Sequence, residues 1–173
     1  MAATFVVETG SGSTTANSYL SVDDADQYFE NYGNTSTWTA LDAADKEQAL
    51  RFGTQFLETR FAAQWLGRKA NKTQALAWPR CGIHVDGYLL DDASLPQKLK
   101  DATAEAALRY LTDGELFPDV DNPGSVQREK VAADGAEVET AYFEPGQSQI
   151  AFYRKVELLV REFVYSGSEV IRG

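Results

Sequence analysis

Residues 74–80 read Gln74-Ala75-Leu76-Ala77-Trp78-Pro79-Arg80, with Gly82 close behind. The centre is apolar, yet its proline forbids the stretch from simply continuing as a helix. It falls between two long helical patterns, where a connection is normally polar. A tryptophan in such a place points to a segment packed onto the core, because a buried indole dominates local energetics. The chain is therefore expected to run an apolar strap across two helices, with Trp78 as anchor and Pro79 fixing the exit. Arg80 carries the open question. Pointing into solvent beside Arg68 it would serve binding, and paired with a carboxylate it would be scaffold.

The flanking helices follow from period and caps. Ser21 opens the first, with Asp24 three residues on in the manner of a capping box. Asp23, Asp24 and Asp26 lie in its first turns, where the helix dipole favours negative charge, so capping explains them better than a metal site. Val22, Ala25, Phe29 and Tyr32 recur at helical spacing, and Gly33 stops the run. Residues 34–40 read as a polar turn anchored by Trp38. Asp42 caps a second helix to about Ala63, with an apolar face of Ala49, Leu50, Gly53, Phe56, Leu57 and Phe61. Gly53 on that face costs ~1 kcal/mol of helix propensity against Ala, which implies a close neighbour. Ser94, Pro96 and Gln97 predict a capped third helix to Asp113-Gly114, its buried face rich in alanine. A fourth is expected over residues 148–164, with Ile150, Tyr153, Val156, Val160 and Phe163 as its stripe.

Between and around the helices the pattern changes. Phe5-Val6-Val7 suits a short strand, and Gly10-Ser11-Gly12-Ser13-Thr14-Thr15 reads as a flexible linker by composition. Residues 67–93 form a connection long enough to suggest function, with a turn at Asp86-Gly87 and an extended piece at Tyr88-Leu89-Leu90. Residues 126–142 alternate with period two about Asp134-Gly135, a strong hairpin signal. Val131, Val138 and Tyr142 belong to this hairpin. A lone hairpin is marginal in water, so it must pack on the helices or on another chain. Ser166-Gly167-Ser168 then forms a joint to an end segment, Glu169-Val170-Ile171-Arg172-Gly173, whose apolar pair would gain from docking. The expected fold class is mainly α: a four-helix, bundle-like single domain over residues 1–173. It has a helical core over 21–113, a β-hairpin between helices 3 and 4, and an extended tail from 165.

Composition narrows the chemistry. Cys81 and His84 stand alone as the single cysteine and histidine, which leaves no intrachain disulfide and no Cys/His zinc site. Both read as structural or loop residues. No nucleophile elbow, metalloprotease motif, phosphate loop or dinucleotide fingerprint is present, and no two carboxylates are singled out. Residues 117–125 lack the ligand spacing of a calcium loop. The expectation is no enzyme, no catalytic or metal-ligating residues and no cofactor. The start lacks the basic region and apolar length of a signal peptide, and no run suits a membrane span. A cytoplasmic protein, or one that leaves within an assembly, is expected. Formal charge is −10, a poor basis for holding phosphates unless cations cluster. The nearest to a cluster is Arg68, Lys69 and Lys72, followed by Arg80. An acidic surface would otherwise repel DNA and let it slide past.

Taken in order, these signals resemble a known family. Ala16-Asn17-Ser18-Tyr19-Leu20-Ser21-Val22 leads into the acidic helix ending in Tyr28-Phe29. Trp38, Lys46-Glu47-Gln48-Ala49-Leu50, and Trp65 with Gly67-Arg68 follow. Then come the strap and Leu95-Pro96-Gln97 with Ala104-Glu105. Over residues 16–112 this resembles the DnaT-like single-stranded-DNA-binding family of tailed phages and prophages, with Trp65, Trp78, Pro79 and Arg80 as signature and core strap. The order of elements is similar to that of tailed-phage head-tail connector adaptors, small helical bundles with a hairpin before the last helix. That second resemblance implies a virion neck (head-completion) protein, made in the host cytoplasm. It would form a homo-oligomeric ring, dodecameric in such adaptors, with DNA passing through the lumen without sequence-specific contact. Glu169, Val170, Ile171 and Arg172 would dock on the portal. Val131, Asp134, Gly135, Val138 and Tyr142 would meet a neighbouring subunit or the next tail protein. This adaptor role is the leading expectation. The alternative is a single-stranded-DNA-binding replication accessory. It requires Arg68, Lys69, Lys72 and Arg80 on one surface, with Trp65 or Trp78 exposed.

Overall fold

A computed structural model describes residues 4–33, 35–116, 129–133, 136–140 and 153–165. The chain divides into two compact units, residues 1–116 with 153–173, and residues 117–152. The protein is mainly helical. The larger unit holds α1 (Val22–Tyr32), α2 (Thr35–Thr39), α3 (Ala43–Arg60), α4 (Gln97–Asp113) and α5 (Arg154–Val160), the last continued by a 3₁₀ turn at Arg161–Phe163. Between α3 and α4 lie two small antiparallel pairs, β1 (Arg68–Lys69) with β2 (Arg80–Cys81), and β3 (His84–Val85) with β4 (Tyr88–Leu89).

The caps work largely as the residues dictate. The Ser21 hydroxyl accepts from Asp24 N–H at 3.1 Å, and Gly33, at φ 86°, closes α1. Asp42 accepts from Asp45 N–H at 2.9 Å at the start of α3. Asp26 takes the Trp38 indole N–H at 2.5 Å and the Lys46 ammonium at 2.8 Å. These bonds hold its carboxyl below the usual range even though burial raises it. Gly53 has the close neighbour its sequence position implied. A Cβ there would lie 2.6 Å from Thr103 O and 2.8 Å from Ala107 N on α4. The alanine face of α4 thus meets α3 backbone to backbone.

Two apolar clusters fill the larger unit. Leu20, Phe29, Trp38, Leu50, Ala104 and Leu108 form one. Phe56, Phe61, Trp65, Trp78, Val160 and Phe163 belong to the other. Glu105 of α4, itself buried, accepts from the Tyr28 hydroxyl at 2.8 Å and from Lys155 of α5 at 2.5 Å. A buried carboxylate needs such partners to offset its desolvation.

Several expectations are corrected. Residues 35–39 are helical rather than a turn, with Trp38 fully buried as their anchor. Helix α3 stops at Arg60, three residues short of Ala63. Pro96 takes the N-cap of α4 without a side-chain bond, because the Ser94 hydroxyl donates to Asp91 O at 3.0 Å instead. The Phe5-Val6-Val7 strand reduces to one parallel bridge, Val7 to Ser18. The glycine–serine stretch is no flexible linker. Its backbone wraps the buried Glu8 carboxylate, which accepts from the N–H groups of Gly10, Gly12 and Ser13 at 2.8, 3.0 and 2.7 Å. Successive N–H groups turned toward one anion form a nest, and here the chain supplies its own anion. Residues 148–152 of the expected fourth helix lie outside the described residues, and α5 itself begins at Arg154.

In the smaller unit, β5 (Glu129–Ala133) pairs with β6 (Ala136–Thr140) in the register Val131↔Val138 and Ala133↔Ala136. Asp134, Gly135 and Tyr142 lie outside the described residues, as do Glu169, Val170, Ile171 and Arg172.

Candidate functional site

The strap has almost no regular structure, yet its own Gln74 and side chains from elsewhere bind its backbone. The Gln74 side chain, buried, accepts from Asn71 N–H at 2.7 Å and donates to the carbonyls of Leu76 and Pro79 at 2.9 and 3.0 Å. Ala77 N–H donates to both Glu58 oxygens at 3.0 Å. Trp78 N–H donates to the Tyr19 hydroxyl at 3.1 Å, and that hydroxyl donates in turn to Glu58. Ala75 N–H reaches Ser13 O at 2.8 Å. The Trp78-Pro79 peptide is cis. Each such bond contributes about 1 kcal/mol net, and losing one buried partner costs more than that. Glu58, Tyr19 and Gln74 thus hold in place a loop that has no ladder of its own.

Arg80 completes the base. Its Nε donates to Leu66 O at 2.5 Å, Nη1 to Ala77 O at 3.2 Å, and Nη2 to Gly67 O at 2.8 Å and Trp65 O at 3.5 Å. Sequence reasoning offered solvent or a carboxylate; these bonds go instead to four backbone carbonyls. Burial pulls the guanidinium pKa down, opposed by Tyr19 and Glu58, and arginine remains a cation at any ordinary pH. Arg80 sits opposite Lys69 in the β1–β2 pairing, and Arg68 sits opposite Cys81. The pairing is reached only because residue 67 is glycine. It holds φ 64°, and a Cβ would lie 2.3 Å from Cys81 O.

Arg68 and Lys69 are exposed on β1, and Lys72 is exposed in the turn that follows. Three exposed cations thus fall within five residues, while Arg80, opposite Lys69, is committed to backbone carbonyls; Lys69 Nζ itself lies 3.4 Å from Gln74 O. Trp65 and Trp78 are 5% and 1% exposed, packed edge to face with ring centroids 6.0 Å apart. Both belong to the core, so neither is the exposed aromatic that a strand-binding site would need. An exposed ring lies close by, and sequence reasoning missed it. Trp65 bridges Val164, with Leu66 N–H donating to Phe163 O at 2.9 Å and Tyr165 N–H to Gln64 O at 2.8 Å. Tyr165 is 64% exposed and close enough to Arg80 to interact electrostatically. Its one signal in the sequence was an aromatic left off the stripe of the last helix.

The remaining candidates are placed as follows. Burial, and then the Asp92 carboxylate, push the half-buried Cys81 thiol up and keep it neutral. His84 is exposed on β3. Among the described residues no group of three His, Cys, Asp or Glu side chains is arranged to hold a metal ion. No helix among them is long and apolar enough to cross a membrane.

Compared with known families, residues 3–173 match the model described as "Putative DnaT-like ssDNA binding protein". No curated protein and no solved structure matches the chain. The family match overturns the leading expectation of a head-tail connector adaptor. That reading rested on the order of elements, a hairpin before the last helix and an apolar end, which many small helical proteins can share. The ring under the portal and the role of a structural virion protein fall with it. The match spans nearly the whole chain and points to single-stranded DNA.

Proposed function

Because the chain belongs to the DnaT-like ssDNA binding family, we propose that it is a single-stranded-DNA-binding accessory protein that holds the strand on the edge formed by Arg68, Lys69 and Lys72. The carrying observation is that these three exposed cations stand on a base fixed by Arg80, Glu58 and Tyr19. A fixed backbone under the cations spares the cost of ordering the loop when they meet phosphates. The rest of the surface works in the opposite sense: at a formal charge of −10, DNA is repelled from most of it and is confined to this edge. Helices α1, α3, α4 and α5 serve as the four-helix scaffold behind the site. The protein acts as a binding module, without catalysis or a cofactor.

The test is fluorescence anisotropy of a labelled oligo-dT 12-mer at rising salt. Binding at low salt is expected, with log K falling against log salt at a slope of about −2, as three phosphate contacts on a single strand give. Absence of any salt-dependent binding would remove the proposal.

A further inference from the structure

Single-strand binding joins a cationic track to an aromatic face on which an unpaired base stacks. Trp38, Trp65 and Trp78 are all buried, so no tryptophan can supply that face without opening the core. Four large rings are exposed among the described residues: Tyr32, Phe52, Tyr88 and Tyr165. Tyr32 leans on Tyr28 at 4.9 Å, and Phe52 stacks on Tyr110 at 4.2 Å. Tyr88 shares its short segment with the exposed carboxylates of Asp86, Asp91 and Asp92, which repel phosphate. Tyr165 is different. Its backbone is tied to Gln64, one end of the segment that leads directly through Gly67 into Arg68. It is also near enough to Arg80 for the two to interact electrostatically.

We infer that Tyr165 is the base-stacking residue of the site and the one that makes it prefer an unpaired strand to a duplex. Arg80 is a positioning residue beneath the edge, touching no DNA. The inference rests on the single-strand reading above. The cations attract the phosphates of any nucleic acid, so they cannot discriminate between the two. A ring can. In a duplex both faces of each base are already stacked, whereas in a single strand a face is available at little cost. Because every base has such a face, the preference is for strandedness and not for sequence. Tying the Tyr165 backbone to Gln64 limits what the ring gives up on binding.

The experiment compares Tyr165→Ala and Tyr165→Phe with wild type, using labelled oligo-dT and a 12-base-pair duplex of random sequence. Tyr165→Ala is expected to weaken oligo-dT binding about tenfold, with the salt slope unchanged and duplex binding unaffected. Tyr165→Phe keeps the face and should bind within twofold of wild type. The ring is exposed, so a urea midpoint equal to wild type confirms that the variants are folded. If wild type binds and Tyr165→Ala binds equally well, the stacking role is overturned while the function stands. If Tyr165→Ala weakens duplex and single strand alike, the strand-selective role is overturned in the same way. If wild type binds neither, the function and this inference fall together.

Discussion

The pairs β1–β2 and β3–β4 are built from the same material and do opposite things. Each has two residues per strand, and only Gly82 and Ile83 separate them. The β3–β4 pair is local. Asp86 at φ 52° and Gly87 at φ 84° make the tight turn its twist requires, and Leu90 N–H adds a bond to Ile83 O at 2.9 Å. It exposes Tyr88 and Leu89 at 80% and 61%, among carboxylates. The β1–β2 pair is non-local. Its connection spans ten residues, held by Tyr19, Glu58, Gln74 and Arg80, and its outer edge is cationic. Aromatic exposure alone therefore does not mark a nucleic-acid site in this fold. Charge, and the fixing of that charge, separates the two pairs.

The largest test breaks the base of β1–β2. Trp78→Ala removes a fully buried indole that packs on Trp65 and Phe163. A loss of about 3–5 kcal/mol in urea unfolding is expected. A loss below about 1 kcal/mol would mean that the strap is decoration and that the two pairs do not differ in anchoring.

That difference also decides what could be read from the sequence. Helices α1, α3 and α4, the caps at Ser21 and Asp42, the crowding at Gly53 and the Asp86-Gly87 turn were legible, because each is a local signal: a period, a side chain three residues away, or a dipeptide; the short α2 was not. The burial of Trp78 was legible as well, from an indole beside a proline between helices. What holds the strap was not. Tyr19 lies 59 residues from Trp78 along the chain, and Glu58 lies 19 from Ala77. Neither residue carries a mark that distinguishes it from any other tyrosine or glutamate. Arg80 was legible as a question, and its answer, four carbonyls, depends on how residues 65–67 fold back. Glu8 misled for the same reason. The glycine–serine composition around it spells flexibility until a buried carboxylate gathers the loop.

A smaller effect sharpens the anchoring claim through pH. Burial, then the Glu58 carboxylate, raises the Tyr19 hydroxyl well above its ordinary pKa of 10.0. The unfolded chain releases that proton near pH 10, and the folded chain keeps it. Tyr19 therefore contributes fully below pH 10, and its contribution falls as pH rises further. Between pH 9 and about 10.8, wild type should lose about 1 kcal/mol more stability than Tyr19→Phe, measured by urea midpoints at each pH. Other tyrosines and lysines titrate alike in both proteins and cancel. Parallel losses would show that the Tyr19 hydroxyl is not held neutral between Glu58 and Trp78.

The smallest effect addresses charge against aromatic exposure. Lys69→Ala should reduce the salt slope of oligo-dT binding by about 0.7, the share of one phosphate contact on a single strand. Tyr88→Ser should leave both slope and affinity unchanged, although Tyr88 is the more exposed ring. Each substitution lies on the surface and should shift stability by less than about 0.5 kcal/mol, so affinity can be compared directly. If Tyr88→Ser weakens binding while Lys69→Ala does not, the strand runs over β3–β4, and the acidic pair holds it despite Asp86, Asp91 and Asp92. The cationic edge would then be an ordinary solvated surface. The two substitutions stand on pairs two residues apart in sequence, so one titration series with both variants decides which pair carries the DNA.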